Sequence, residues 1–459
     1  MINPKIFKAY DIRGIYPKEI NENNIETITK AILKLFQDKL NKKNLQIVLG
    51  RDMRLSSPVL HKIVKKTLIK YGQTVIDIGL SSTPSVYFAV YHFKYDAGIQ
   101  ISASHNPKQY NGIKLLYIKD NKLIKVSKDQ GMEEIRQLAL ENKFNLEESQ
   151  GQLIEKSTLK DEINFIYNLI KPQIKKFKIV TDTANAVGSL FIEEIFKRTD
   201  CQLIKLNWQL DGTFPAHEAN PLKFETLKKL QEKIIKEKAD FGIATDGDGD
   251  RIFFIDENGK IVPSTLISSV IAQEILLKNP NETILVDIRY IKNVSNLVKK
   301  LGGQVVYNVV GHSLITKKLN EVNGAFSGES SGHYFFRETG GAESTIKVIY
   351  YILDVLTKKN KPLSEIVNEL MTAYESGEYN FVLSENLNYQ QLFKKIARIY
   401  QNADINYLDG ISVSYNNWRF NIRASNTEPL IRLNLEADDK KLMKEKLKEV
   451  KNKILEFIK

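Results

Sequence analysis

The chain has 459 residues, enough for about three domains, and its 42% hydrophobic and 27% charged residues are globular proportions that exclude a disordered, collagen-like or coiled-coil whole. Lys+Arg number 67 against 55 Asp+Glu, a formal +12, but the lysines alternate with acids rather than massing, which disfavours nucleic acid and suits a small anionic substrate. No uncharged apolar run approaches the ~20 residues of a membrane helix, residues 1–14 show no apolar leader core, and the single Cys201 excludes an internal disulfide framework or a multi-cysteine zinc site.

Residues 45–49 (LQIVL) form a short apolar run closed by Gly50-Arg51-Asp52 and read as a strand. A helical pattern follows over 58–70, then a second strand over 74–78. Residues 178–181 (KIVT), the loop 182–189 and an apolar helix over 190–196 repeat that layout. Residues 283–287 (TILVD) and the helical pattern 294–301 repeat it again. Three such layouts in separate thirds predict three related α/β domains, although no residue-level repeat is visible. The charged stretch 141–156 reads as a connection, and 256–259 (DENG) as a hairpin turn. Beyond 358–362 one more helix-like segment leads to Glu378; strands and two helices then suggest a smaller fourth domain. In its last helix, over 438–459, Met443, Leu447, Val450 and Ile454 recur at helical spacing.

Four polar loops carry candidate chemistry. Residues 102–107 (SASHNP) follow a strand at 97–101; Ser104 is a candidate nucleophile or phosphoryl acceptor, with Lys114 as cationic partner. On that segment alone an ordinary Ser/Asn/Pro turn is the better reading. Residues 246–251 (DGDGDR) are sharper. Carboxylates at i, i+2 and i+4 aim three oxygens at one point, as a hard divalent cation requires. An EF-hand is rejected, because its sixth position needs glycine and is Arg251, and because the flanks 241–244 and 252–255 read as strands. Residues 328–333 (GESSGH) contain G-x-S-x-G, but a strand-like segment follows where a nucleophile elbow needs a helix. Glu329, Ser331 and His333 suit sugar hydroxyls instead. Residues 423–429 (RASNTEP) combine a guanidinium, hydroxyls and an amide, as phosphate recognition does, though a helix cap is the alternative. His61, His92 and His217 are isolated and read as structural.

Together and in this order, the loops resemble those of the α-D-phosphohexomutase family, in its phosphomannomutase/phosphoglucomutase branch. The resemblance is essentially full length and includes residues 8–14 (KAYDIRG), 50–54 (GRDMR), 83–85 (TPS), 111–114 (NGIK), 181–188, 211–215 (DGTFP) and 311–313 (GHS). It implies an α/β protein of four domains around a central cleft, three with a related mixed α/β core and a smaller α+β C-terminal domain. The expected divisions are 1–153 with a phosphoserine loop, 154–256 with a metal loop, 257–370 with a sugar loop and 371–459 with a phosphate loop. Ser104 would be the phosphoserine. It would also supply a phosphate oxygen to a magnesium ion held by Asp246, Asp248 and Asp250. Arg251 would stabilise the transferring group, and Arg13, Lys114 and His312 are candidates for proton transfer. Tyr10, Arg289, Glu329, Ser331 and His333 would meet the sugar. Arg423, Ser425, Asn426 and Thr427 would grip the phosphate that is not reacting.

The implied activity interconverts hexose 1-phosphate and hexose 6-phosphate of mannose, glucose or both, with hexose 1,6-bisphosphate as intermediate and activator. Phosphoglucosamine mutase is the alternative; residues 311–313 and Asn426, a glycine in that branch, favour mannose or glucose. Ser330 and Arg289 stand where relatives often carry methionine and lysine, which leaves sugar preference open. A cytoplasmic protein is expected, a monomer before a dimer, with sugar phosphates as partners and neither membrane nor nucleic acid.

Overall fold

The strand Gln46–Arg51 is apolar along its centre and buried there on both faces, the pattern of a strand inside a parallel sheet covered by helices. It sits at the heart of a seven-stranded sheet in the computed structural model, which describes residues 2–382, 389–425 and 430–458. Thr74–Leu80 and Ala97–Ile101 flank it in parallel, and Tyr110–Lys119 returns antiparallel to Ala97–Ile101. The same plan recurs twice. Lys178–Asp182 lies parallel to Gln202–Leu206 and Phe241–Thr245, and Ile252–Asp256 returns antiparallel. Thr283–Asp287 lies parallel to Gln304–Asn308 and Phe326–Gly328, and Tyr334–Phe336 returns antiparallel. Residues 102–109, 246–251 and 329–333 are therefore one connection seen three times, each leaving the carboxyl end of the third parallel strand. Ligands of open α/β sheets collect at that end.

A residue-level repeat accompanies the topology. The central strand of each copy runs into an aspartate: Asp52, Asp182 and Asp287. Each carboxylate accepts the backbone N–H two residues on, from Arg54 at 3.0 Å, Ala184 at 2.9 Å and Arg289 at 2.9 Å. Asp-x-x turns of this kind fix a loop locally, but a single aspartate per copy is too sparse to register as a repeat in the sequence.

The remaining sheet is antiparallel, ordered Tyr374–Val382, Leu430–Ala437, Trp418–Ala424, Ile411–Ser414, Asp404–Asn406, with helices Tyr389–Ile399 and Lys440–Ile458. The helix expected to lead to Glu378 ends earlier, as Leu363–Leu370, and the strand starts at Tyr374. Asn293 explains the early stop. Its side-chain oxygen accepts from the N–H groups of Thr372 and Ala373 at 2.8 Å each, and its amide donates to Ala373 O, so these groups leave the helical ladder. The strand Gln152–Glu155 joins the first sheet beside Thr74–Leu80, across the expected division at residue 153. Residues 256–259 form the expected turn, with Gly259 N–H donating to Asp256 O.

Hydrophobic packing joins the second and third copies into one continuous core, while the fourth unit has a core of its own. Polar bonds tie the fourth unit to the third. Arg419 donates to the carbonyls of Ile288 and Arg289 at 3.0 and 3.2 Å, and Glu436 accepts from Ile291 and Lys292 N–H. No helix among the described residues is long and apolar enough to cross a membrane.

Candidate active site

The first two copies of the repeated connection meet face to face. Ser104 is buried and donates from Oγ to Asp246 Oδ2 at 2.9 Å, and Ser102 Oγ receives its N–H. Its φ of +50° is left-handed, a conformation that costs a non-glycine residue about 1–2 kcal/mol and persists only where the surroundings enforce it. Contact between the loops is close. A Cβ at Gly247 would lie 2.3 Å from Ser104 O, so only glycine fits there.

Asp246, Asp248 and Asp250 are all buried, with one oxygen of each within 4.8 Å of the others. Burial, and then the charges of Asp250 and Asp248, push the Asp246 carboxyl well above its ordinary range. Lys114 places Nζ 2.6 Å from both Asp248 and Asp250. Burial opposes both Lys114 and Asp250 in their charged forms. The two carboxylates nevertheless hold Lys114 well above its usual value, and Lys114 and His333 hold Asp250 well below. One buried oxygen of Asp248 has no hydrogen-bond partner, and Oδ1 of Asp250 meets only His333, at 3.4 Å. Three convergent carboxylates, an unpaired Asp248 oxygen and the mutual repulsion that raises Asp246 fit a hard divalent cation. The strands Phe241–Thr245 and Ile252–Asp256 on either side bear out the rejection of an EF-hand.

The third copy faces this centre. His333 lies 3.4 Å from Asp250 and 3.1 Å from Glu329. Burial disfavours the imidazolium, but Asp250 and Glu329 together lift its pKa to about 9. Arg251 Nε also points at His333 Nε2, at 3.2 Å; two carboxylates outweigh this one guanidinium. Burial likewise opposes the Glu329 charge, and His333 with Arg289 holds it down at about 2. Arg289 reaches Glu329 at 3.3 Å and pairs with Asp287. Ser330 donates to the same aspartate through Oγ and N–H, both at 3.1 Å. Ser331 Oγ lies 3.1 Å from His333 Nδ1. A continuous polar chain thus runs from the acidic loop to Arg289.

His312 opens the helix His312–Glu321, with the ring of Tyr10 5.4 Å away. Burial, then Lys125 and Lys114, drive its pKa well below the usual value, so it is neutral. Arg13 donates to Asn106 in the serine loop at 2.6 Å and pairs with Asp11. In the fourth unit Arg423 lies 3.3 Å from Glu378, and Arg432 donates to Ser425 at 3.4 Å. Asn426 and Thr427 lie outside the described residues. His61 pairs with Asp77, His217 with Asp182, and His92 packs among Phe88, Phe93 and Phe165, as structural histidines do.

Three side chains at the site lie within motifs quoted from the sequence, which gave them no role. Thr83, first residue of the helix Thr83–His92, hydrogen-bonds the Asp248 carboxylate through Oγ1, and its N–H donates to Asp248 O at 2.9 Å. The helix-start pattern Ser-Thr-Pro locates that terminus but not what it faces. His105 Nδ1 lies 3.2 Å from Ser104 Oγ, and burial, then Arg251 and Arg13, keep it neutral. Arg54 surrounds itself with the serine loop; no local pattern distinguishes it from a surface arginine.

Three copies of one α/β plan, with a buried serine set against an acidic loop that fits a divalent cation, describe a multidomain phosphotransferase. Four family descriptions match in order. Phosphoglucomutase/phosphomannomutase α/β/α domain I matches residues 4–145, domain II 158–259, domain III 265–374, and the C-terminal domain 378–453. The chain is 37% identical to a phosphomannomutase of Methanocaldococcus jannaschii over 98% of its length and 97% of that protein's. It is 34% identical to a phosphomannomutase of Escherichia coli K12, with 94% of each chain covered. Its fold matches the crystal structure of a phosphoglucomutase/phosphomannomutase family protein from Burkholderia thailandensis with a TM-score of 0.89 at 27% identity, covering 99% of this chain and 98% of that one. The chain belongs to the phosphoglucomutase/phosphomannomutase family.

Proposed function

We propose that this protein interconverts the 1- and 6-phosphates of mannose, glucose or both, carrying the transferred phosphoryl group on Ser104. The observation that carries the reading is the Ser104 hydroxyl resting on Asp246 inside a buried three-carboxylate cluster. Phosphorylated Ser104 gives its phosphoryl group to O6 of a hexose 1-phosphate: the Ser104 Oγ–P bond breaks, the O6–P bond forms, the O6 proton leaves to a base and Ser104 Oγ takes up a proton. The resulting 1,6-bisphosphate turns over in the site; its O1–P bond then breaks, the Ser104 Oγ–P bond re-forms, and the Ser104 proton is lost to a base while O1 gains one, leaving hexose 6-phosphate. The same bisphosphate, supplied from solution, would recharge a dephosphorylated serine.

Phosphoryl transfer depends on positioning and charge neutralisation. Asp246, Asp248 and Asp250 would hold magnesium with a phosphate oxygen on Ser104; the bound ion would neutralise charge on the transferring group. Arg251 adds positive charge beside it. His312 and Lys114 are the candidates for moving the hydroxyl proton. Arg13 steadies the serine loop through Asn106. Glu329, Ser331, His333 and Arg289 read the sugar with Tyr10, and Arg423 and Ser425, with Asn426 and Thr427, hold the distal phosphate.

A coupled assay with magnesium and catalytic hexose 1,6-bisphosphate tests the proposal. Mannose and glucose 1-phosphates should both turn over, and chelation of the metal should stop both. Turnover of glucosamine 1-phosphate alone would keep the chemistry and replace the substrate; no turnover of any of the three would sink the proposal.

A further inference from the structure

We infer that Arg54 is the positioning residue that holds Ser104 against the acidic loop, and that it does so by gathering the carbonyls of the serine loop around its guanidinium. Arg54 is fully buried. Nη2 donates to Ser104 O at 2.7 Å and Asn106 O at 2.6 Å, and Nη1 to Pro107 O at 2.9 Å and Tyr110 O at 3.0 Å. Nε donates to Asp52 Oδ2 at 3.1 Å, and Ser57 Oγ steadies the other oxygen of that carboxylate at 2.5 Å. A guanidinium has five N–H groups in a planar fork, and each has its own acceptor here. Four carbonyls between residues 104 and 110 can converge only if a donor of that number and shape waits at the centre. An ammonium offers three donors and no plane.

The second copy of the fold seals this arrangement. The Phe214 ring covers the guanidinium at 5.1 Å. Gly212 packs so tightly on the Arg54 backbone that a Cβ there would lie 2.6 Å from both Met53 O and Leu55 N. The third copy shows the same device used differently. Arg289 also stands two residues beyond the central strand's aspartate, with its N–H and Nε on that carboxylate, and its outer end turns to Glu329 in the equivalent loop. In the second copy Ala184 takes the position, and Asn207 and His217 bind Asp182 instead. Arg54 thus repeats a built feature of the fold. With no N–H left over, it cannot bind a substrate phosphate; its action is on the place and left-handed backbone of Ser104.

The consequence for catalysis rests on the phosphoserine reading; the clamp itself does not. Arg54→Ala would leave Asp52 and four carbonyls without a partner and endanger the fold, so the test uses Arg54→Lys, with Phe214→Leu as a milder second variant. Two quantities are read: hydrogen–deuterium exchange of backbone amides in 102–112, and the single-turnover rate of phosphoryl transfer from phosphorylated Ser104 to glucose 1-phosphate. Arg54→Lys should speed exchange in that segment while distant segments stay protected. Transfer should slow about 100-fold, as a displacement of about 1 Å does, with KM changed less than about twofold because binding groups are untouched. Phe214→Leu should move both readouts in the same direction by less. Unchanged exchange in Arg54→Lys overturns the clamp, whatever happens to activity. Faster exchange with an unchanged transfer rate overturns the positioning role. A wild-type protein that neither carries phosphate on Ser104 nor turns over a hexose 1-phosphate refutes the phosphoserine reading, and the exchange data still decide the clamp.

Discussion

Arg54 and Arg289 occupy the same place in two copies of one fold and serve different ends. Both follow a central strand, sit two residues after its aspartate and pair Nε with that carboxylate. In the first copy the rest of the guanidinium turns onto backbone carbonyls and is used up. In the third it turns toward Glu329, a side chain facing the centre. The fold decides where such an arginine stands. The length and backbone direction of the opposing loop decide whether it becomes scaffold or ligand. The serine loop, 102–109, is longer than 329–333 and folds its carbonyls inward.

The sharpest way to break this comparison is to remove the chemistry the first copy supports. Ser104→Ala should lower the coupled mutase rate by roughly 10³-fold or more, since nothing else at the site replaces a phosphoryl carrier. Retention of most activity would show that the first copy holds no special role. Gly247→Ala should come next. Its methyl would meet Ser104 O, separate the two loops and lower kcat about 100-fold, and the overpacking should lower the melting temperature as well. Arg289→Ala sharpens the contrast with Arg54: it should raise KM about 10- to 100-fold, the size of one or two charged hydrogen bonds, with a smaller effect on kcat. A kcat effect with constant KM would make Arg289 scaffold as well.

The smallest effect lies at the joint between the first two copies. Glu162 is buried where the helix Leu159–Ile170 meets Ser85 of the first copy, and Ser85 Oγ donates to it at 2.6 Å. Burial raises its pKa from 4.5 to about 7. The folded carboxyl keeps a proton that the unfolded one has lost, so stability falls as pH rises from 4.5 to about 7 and stays level beyond. The full drop is up to about 3 kcal/mol. Glu162→Gln should remove this slope, which urea melts at pH 5 and pH 8 would reveal; an identical slope in the variant would place the titration elsewhere.

Much of the fold was legible in the sequence because its signals are local. The apolar run 283–287 marks a strand with the same bounds the structure has, and 241–244 reads as a strand that the structure extends by Thr245 alone. The acidic loop was legible for the same reason: three carboxylates at alternate positions converge without help from elsewhere. The helix end at Leu370 was not, because Asn293, far away in sequence, draws off the backbone groups of Thr372 and Ala373. Nor could the sequence give the charge states of Lys114 and His312. Only the contacts with Asp248 and Asp250 hold Lys114 charged, and only burial near other cations holds His312 neutral.

By itself the sequence determined the α/β class, the four-unit plan, the family and the loops where chemistry gathers, since each is written in short-range patterns of apolar spacing and polar clusters. Tertiary structure alone decided that these loops are the same connection repeated, that Thr83 steadies Asp248, and that Arg54 is buried under four carbonyls of a loop some fifty residues away. Those facts depend on which distant backbone groups are left without a partner, and a chain's local chemistry does not specify that until the sheets have packed.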